Sequence, residues 1–187
     1  MKKISWLLIV LLIAGTVSAQ DKYFTKTGKI NFDATSPGSP EQVEGIHKST
    51  LCVLDTKTGN LQFSVTMKGF EFERALMQEH FNENYVESDQ FPKSEFKGQI
   101  SNNSSVNYAT NGEYPVSVKG KLTMHGITKD VEANGKLVIK NGKIAATSVF
   151  TVLLADYKIS IPGLVADKVS KSAKIIVNCL LDPLPAK

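Results

Sequence analysis

Few side chains in this sequence have the types and spacing that catalysis demands. Nucleophilic attack needs a hydroxyl or thiol beside a base, and no Gly-x-Ser-x-Gly elbow is present. A His-Glu-x-x-His zinc motif is also missing. The three histidines, His47, His80 and His125, fall in different segments, so a shared metal site would require the fold to gather them. The two cysteines, Cys52 and Cys179, form no Cys-x-x-Cys pair, which removes the usual redox and structural-zinc signatures. Each lies in an apolar run and reads either as a buried small hydrophobe or as half of a disulfide closing most of the chain. Seven acids between Glu71 and Glu95 face only Arg74 and Lys93 and read as a solvated acidic face rather than as paired acid–base carboxylates.

The conspicuous side chains are soft and apolar. Met67, Met77 and Met124 sit beside or opposite Phe63, Phe70, Phe72 and Phe81. Methionine adapts to irregular apolar shapes, so such a lining suits a flexible, chain-like ligand. The same residues equally suit a solid core. Arg74 is the only arginine, and its planar fork is matched to a phosphate; the competing reading is a surface helix pair with Glu71 or Gln78.

These residues must be positioned by a domain of ordinary globular composition, 187 residues with 42% hydrophobic and 21% charged, which excludes a disordered chain, a coiled coil and a polytopic membrane protein. Residues 1–19 have the layout of a cleaved secretory signal: Lys2 and Lys3, an apolar run from Ile4 to Ala14, then Val17-Ser18-Ala19. The run is too short to span a bilayer, which takes about 20 apolar residues. A periplasmic or secreted location follows. Cleavage would take two lysines from the 22 basic residues, leaving 20 against 18 acids and a net charge of +2, so nucleic acid is a poor partner.

Between turn signals, residues 20–187 alternate with period two and are rich in Val, Ile, Thr and Phe, a β-domain pattern. Eight strands are expected near 22–33, 43–55, 60–68, 94–101, 114–125, 129–139, 144–155 and 173–181. Asn141-Gly142 is a two-residue hairpin turn, since both residues tolerate positive φ. His125-Gly126 and Asn111-Gly112 punctuate other strand ends. Over 73–84, Leu76, Met77, His80 and Phe81 share one face of a short amphipathic helix. Eight antiparallel strands without a linker or repeat suit one closed barrel or one sandwich, and closure leaves no exposed edge. Such a barrel is just wide enough to be plugged by its own side chains or to hold one slender ligand.

Four elements occur in a telling order: Met77-x-x-His80-Phe81, Glu87-Ser88-x-x-Phe91-Pro92-x-x-x-Phe96, Leu122-Thr-x-His125-Gly126-x-Thr128-Lys129, and Asp156-Tyr157-x-Ile159-x-Ile161-Pro162. Together they resemble the YceI-like family of exported bacterial lipid-binding proteins over nearly all of 20–187. The resemblance implies an all-β fold, a single eight-stranded antiparallel lipocalin-like barrel with one short helix. It further implies an interior that carries a long isoprenoid, a polyprenyl phosphate or a quinone tail, without catalysis or cofactor. With Trp6 in the signal, the Gly-x-Trp of true lipocalins is absent, so that likeness is architectural.

On this reading the tail would contact Phe63, Val65, Met67, Phe70, Phe72, Met77, Phe81, Leu122, Met124, Phe150, Val152 and Leu154, three strands supplying alternate residues on one face. Arg74, His80 and His125 are candidates for the head group, and the nearby acids favour a weakly charged one such as a quinone. The partner expected is a long-chain lipid. A homodimer is compatible with the sequence. The competing function is an exported structural or interaction barrel with a plugged interior.

Overall fold

A computed structural model describes residues 21–184. The expected signal segment, Met1–Ala19, lies outside the described residues. Nine strands form in chain order: β1 (Lys22–Thr35), β2 (Glu44–Asp55), β3 (Asn60–Thr66), β4 (Phe70–Phe72), β5 (Lys93–Ile100), β6 (Gly112–Met124), β7 (Ile127–Lys140), β8 (Lys143–Leu153) and β9 (Val169–Pro183). They pair antiparallel in the order β1-β9-β8-β7-β6-β5-β3-β2, and β2 returns to β1 to close the barrel. The short β4 is no ninth stave. It continues β3 beyond a 3₁₀ turn at Met67–Gly69 and pairs with the first half of β2, so the barrel is eight-stranded as expected.

The turns follow from their residues. Asn141 and Gly142 take φ of 53° and 73°, and His125 and Gly126 take 50° and 71°; both pairs make two-residue connections whose positive φ matches the twist of the strands they join. Beyond Gly126 there is a second constraint, since a Cβ there would stand 2.6 Å from Phe91.

Inward and outward residues alternate most clearly toward the end of β9, where Val177, Cys179 and Leu181 are buried and Asn178 and Leu180 are exposed. In β1 and β2 the phase flips. Thr25 and Gly28 are buried on β1, and His47 and Thr50 on β2, because the pairing register shifts between them. A bulge of this kind inserts a residue and reverses which parity faces the core. Gly28 sits at the flip because any side chain there would meet Cys179 Sγ at 2.6 Å. Cys52 and Cys179 are buried free thiols.

The helical segment is shorter than the sequence suggests. Helix α1 covers Ala75–His80 and passes into a widened π-type turn, Phe81–Tyr85. Phe81 anchors it, with ring centroids 5.6 Å from Phe32, 5.4 Å from Phe70 and 4.9 Å from Phe72.

The two ends of the barrel differ. At the end carrying the β2–β3 and β7–β8 turns, Ile139, Ile144 and Leu181 are buried and fill the interior. At the other end the loops are long: residues 36–43, the α1 segment, and residues 154–168.

Candidate functional site

The inward faces of the strands enclose a cavity of about 420 Å³ that runs from the long-loop residues Glu41, Arg74 and Lys168 to Leu54, Ile100 and Leu137 toward the opposite end. Its wall comes from every stave. Ile30 and Phe32 belong to β1, Leu54 to β2, Phe63 and Val65 to β3, Phe96 to β5, Leu122 and Met124 to β6, Val131 to β7, Phe150 and Val152 to β8, and Ile175 to β9. Period-two alternation places them there: residues i and i+2 share a face, and only the apolar face points inward. Met67 and Phe70 flank the 3₁₀ turn that separates β3 from β4 and line the same space, and Leu154 does so from just beyond β8.

Fourteen of the fifteen residues named from sequence border this cavity; besides those above they are Phe72, Arg74, Met77, His80 and Phe81. His125 is the exception. Its ring lies outside the cavity with both nitrogens occupied: Nδ1 donates to the Tyr157 carbonyl at 2.9 Å and Nε2 stands 2.6 Å from the Glu87 carboxylate. Phe91 packs edge-on against it at 4.6 Å. With no free nitrogen, His125 ties three loops together rather than facing a ligand. Glu87 also has positive φ, 44°, a conformation held against its steric cost by this contact.

Other lining residues escape a sequence reading for two reasons. Ile30, Phe32 and Ala34 carry the alternation signal, but only after the phase flip in β1. Glu41 and Lys168 come from loops, where no periodicity marks them.

The polar groups at the cavity are few: Ser94, Thr147 and Ser148 lie on the strands, and the charged groups cluster at the mouth. Arg74 Nη1 and Lys168 Nζ each take one oxygen of the Glu41 carboxylate, the lysine at 3.1 Å. The expected helix pairs of Arg74 do not form: Glu71 instead accepts from Lys48 at 2.5 Å, and Gln78 accepts from the Phe72 backbone N–H. The two cations, Lys168 foremost, hold the Glu41 carboxyl below its ordinary pKa. Leu76 and His80, both exposed, complete the rim on the α1 side.

His47, on β2, is buried beneath the 3₁₀ turn rather than in the cavity wall. Its Nδ1 is 2.8 Å from Thr50 Oγ1 and its Nε2 3.2 Å from Thr66 Oγ1, with the Phe70 ring centroid 5.3 Å away and tilted by 57°. Burial lowers its pKa, so the neutral ring is the satisfied one. The three histidines therefore occupy three separate sites, and among the described residues no group of three or more His, Cys, Asp or Glu converges as a metal site. No helix among the described residues is long and apolar enough to cross a membrane.

A family profile for the YceI-like domain matches residues 13–179. The chain belongs to the YceI-like family. Among solved structures it is similar to a polyisoprenoid-binding domain from Saccharophagus degradans implicated in plant cell wall breakdown, at 12% identity and a TM-score of 0.75, with 88% of this chain and 99% of that one covered. It is also similar to BcnA of Burkholderia cenocepacia, at 15% identity and a TM-score of 0.66 over 82% and 95% of the two chains. The Campylobacter jejuni YCEI protein follows at 14% and 0.59 over 76% and 85%. At these identities the likeness establishes the YceI-like barrel. No curated protein matches the sequence.

Proposed function

We propose that this YceI-like barrel is an exported, non-catalytic carrier that holds a long isoprenoid or similarly slender lipid by its hydrocarbon. One observation carries the reading: a cavity of about 420 Å³ whose wall is almost wholly apolar, with charge confined to its mouth. Removing apolar surface from water is worth about 25 cal/mol per Å², so a tail of several isoprene units gains several kcal/mol before the cost of ordering it. Methionines 67, 77 and 124 let the wall follow a branched chain. The polyisoprenoid binding named for the Saccharophagus degradans domain supports the same class of ligand.

The competing reading, a barrel plugged along its length, has support in the solid end alone. Native mass spectrometry of freshly purified protein, with organic extraction of the same sample, tests the carrier. A co-purified lipid, or saturable uptake of an added polyprenol or quinone, is expected. A chain that carries none and binds none would end the reading. Residues 1–19 are assigned as the export signal, which mass measurement of protein recovered from the periplasm or medium checks.

A further inference from the structure

The mouth of the cavity holds an unusual arrangement of charge. Arg74 at the start of α1 and Lys168 before β9 approach from separate loops, and Glu41, from the β1–β2 loop, lies between them with one carboxylate oxygen on each. All three border the cavity, at the one place where its apolar wall gives way to charge. The loops that present them are braced by their own backbones: Ser36 N–H donates to the Lys168 carbonyl at 2.9 Å, and Ala34 N–H to that of Val43 at 2.9 Å. Ser39 Oγ fixes the Glu41 backbone from both sides, at 2.9 and 3.1 Å. The two cations are thus held facing one small volume.

The geometry points to a head-group site for an oxyanion, with Glu41 as the resident surrogate: a lipid bearing an anionic oxyacid head seats its tail in the cavity and displaces the Glu41 carboxylate from Arg74 and Lys168. This rests on the carrier reading above and specifies the class of lipid. The surrogate is cheap to displace. Arg74 and Lys168 are 62% and 49% exposed at their side chains, and ion pairs that wet contribute little. Glu41 needs only a side-chain rotation to return to water, whereas an incoming head brings its own tail energy. A phosphate also offers three oxygens to an arginine fork that uses one nitrogen on Glu41.

The acids that argued from sequence for a weakly charged head are turned elsewhere. Glu71 pairs with Lys48, Asp89 with Lys68 and Glu87 with His125. None of Glu73, Glu79, Glu83 and Glu95 borders the cavity.

The test is a calorimetric titration of farnesyl monophosphate, farnesol and inorganic phosphate into delipidated protein and into Glu41→Gln, Arg74→Gln and Lys168→Gln. The wild type is expected to bind the phosphate ester at least about tenfold tighter than the alcohol, as charge-assisted bonds allow. Glu41→Gln should widen that ratio several-fold, and Arg74→Gln and Lys168→Gln should each narrow it, the ester-to-alcohol ratio within each variant being the readout. Equal affinity for ester and alcohol, unmoved by Glu41→Gln, would overturn the head-group site while leaving the carrier standing. Inorganic phosphate binding as tightly as the ester would overturn it also, as a free-anion site. Failure of both farnesyl compounds to bind any variant would remove the carrier reading and this one with it.

Discussion

Two histidines outside the cavity show how burial and partner decide what an imidazole does. His47 is enclosed by hydroxyls, which serve either neutral tautomer, and its lowered pKa means that the unfolded chain binds a proton more readily than the folded one below about pH 6.5. The stability it contributes is present above that pH and is lost as pH falls through the folded-state value. The Glu71 charge opposes the shift without reversing it. Chemical denaturation at steps from pH 7.5 to 5 should show stability falling with acid, and His47→Gln, which bonds without titrating there, should flatten the slope relative to wild type. A parallel slope would show that other groups govern the range. His125 differs, because a backbone carbonyl accepts from one nitrogen and a carboxylate faces the other. Glu87→Ala is expected to cost about 1–3 kcal/mol in denaturant unfolding, by leaving the ring and a positive-φ turn unsupported. Glu87→Gln keeps an acceptor and should cost less, with lipid uptake unchanged in both.

At the scale of elements, the helical segment depends on one residue. Ala75–Tyr85 buries a single side chain, Phe81, among three phenyl rings. Phe81→Ala should therefore destabilise by about 3 kcal/mol or more, and hydrogen exchange over residues 75–85 should accelerate ahead of the strands, since a segment with few buried contacts opens locally. Exchange that quickens uniformly across the barrel would contradict this. The same segment marks how far sequence pattern reaches. Leu76, Met77, His80 and Phe81 do share a face, because i, i+1, i+4 and i+5 fall together on a helix. The early change to a wider turn after His80 leaves no trace in that spacing. All eight staves were legible because Val, Ile, Thr and Phe alternate between turn residues whose φ preferences are local. The parity of β1 and β2 was not, since a bulge is fixed by what the neighbouring strand presents: here Gly28 against Thr50 and Cys179. For the same reason the cavity wall was readable on β3, β6 and β8, where alternation is unbroken, while Glu41 and Lys168 meet Arg74 only through loop closure. His125 looked available because sequence shows a histidine at a turn and conceals the two oxygens that occupy it.

Over the whole molecule, the barrel divides the work of its core between its two ends. One end is filled: Ile144 and Leu181 have no exposed surface and border no cavity. The other end turns apolar side chains such as Phe63, Met124 and Phe150 toward the cavity. Truncation should separate the two roles. Leu181→Ala removes packed methyls and leaves a void, at a cost of about 2–5 kcal/mol, or roughly 4–20 °C in Tm for a chain of this size. Its lipid affinity should stay within a factor of about two, since mutations at distant sites act independently. Met124→Ala, on the cavity wall, removes atoms that already face space, so its Tm should move by less than Leu181→Ala while affinity for a farnesyl or longer tail falls by about tenfold, close to the 1.4 kcal/mol that loss of contact with two methylenes represents. Both variants would be measured side by side by thermal unfolding and by titration with the same polyprenol. Equal Tm losses with unchanged binding would mean that the Met124 end is as solid as the other, and that the space between the staves is not where a ligand is held.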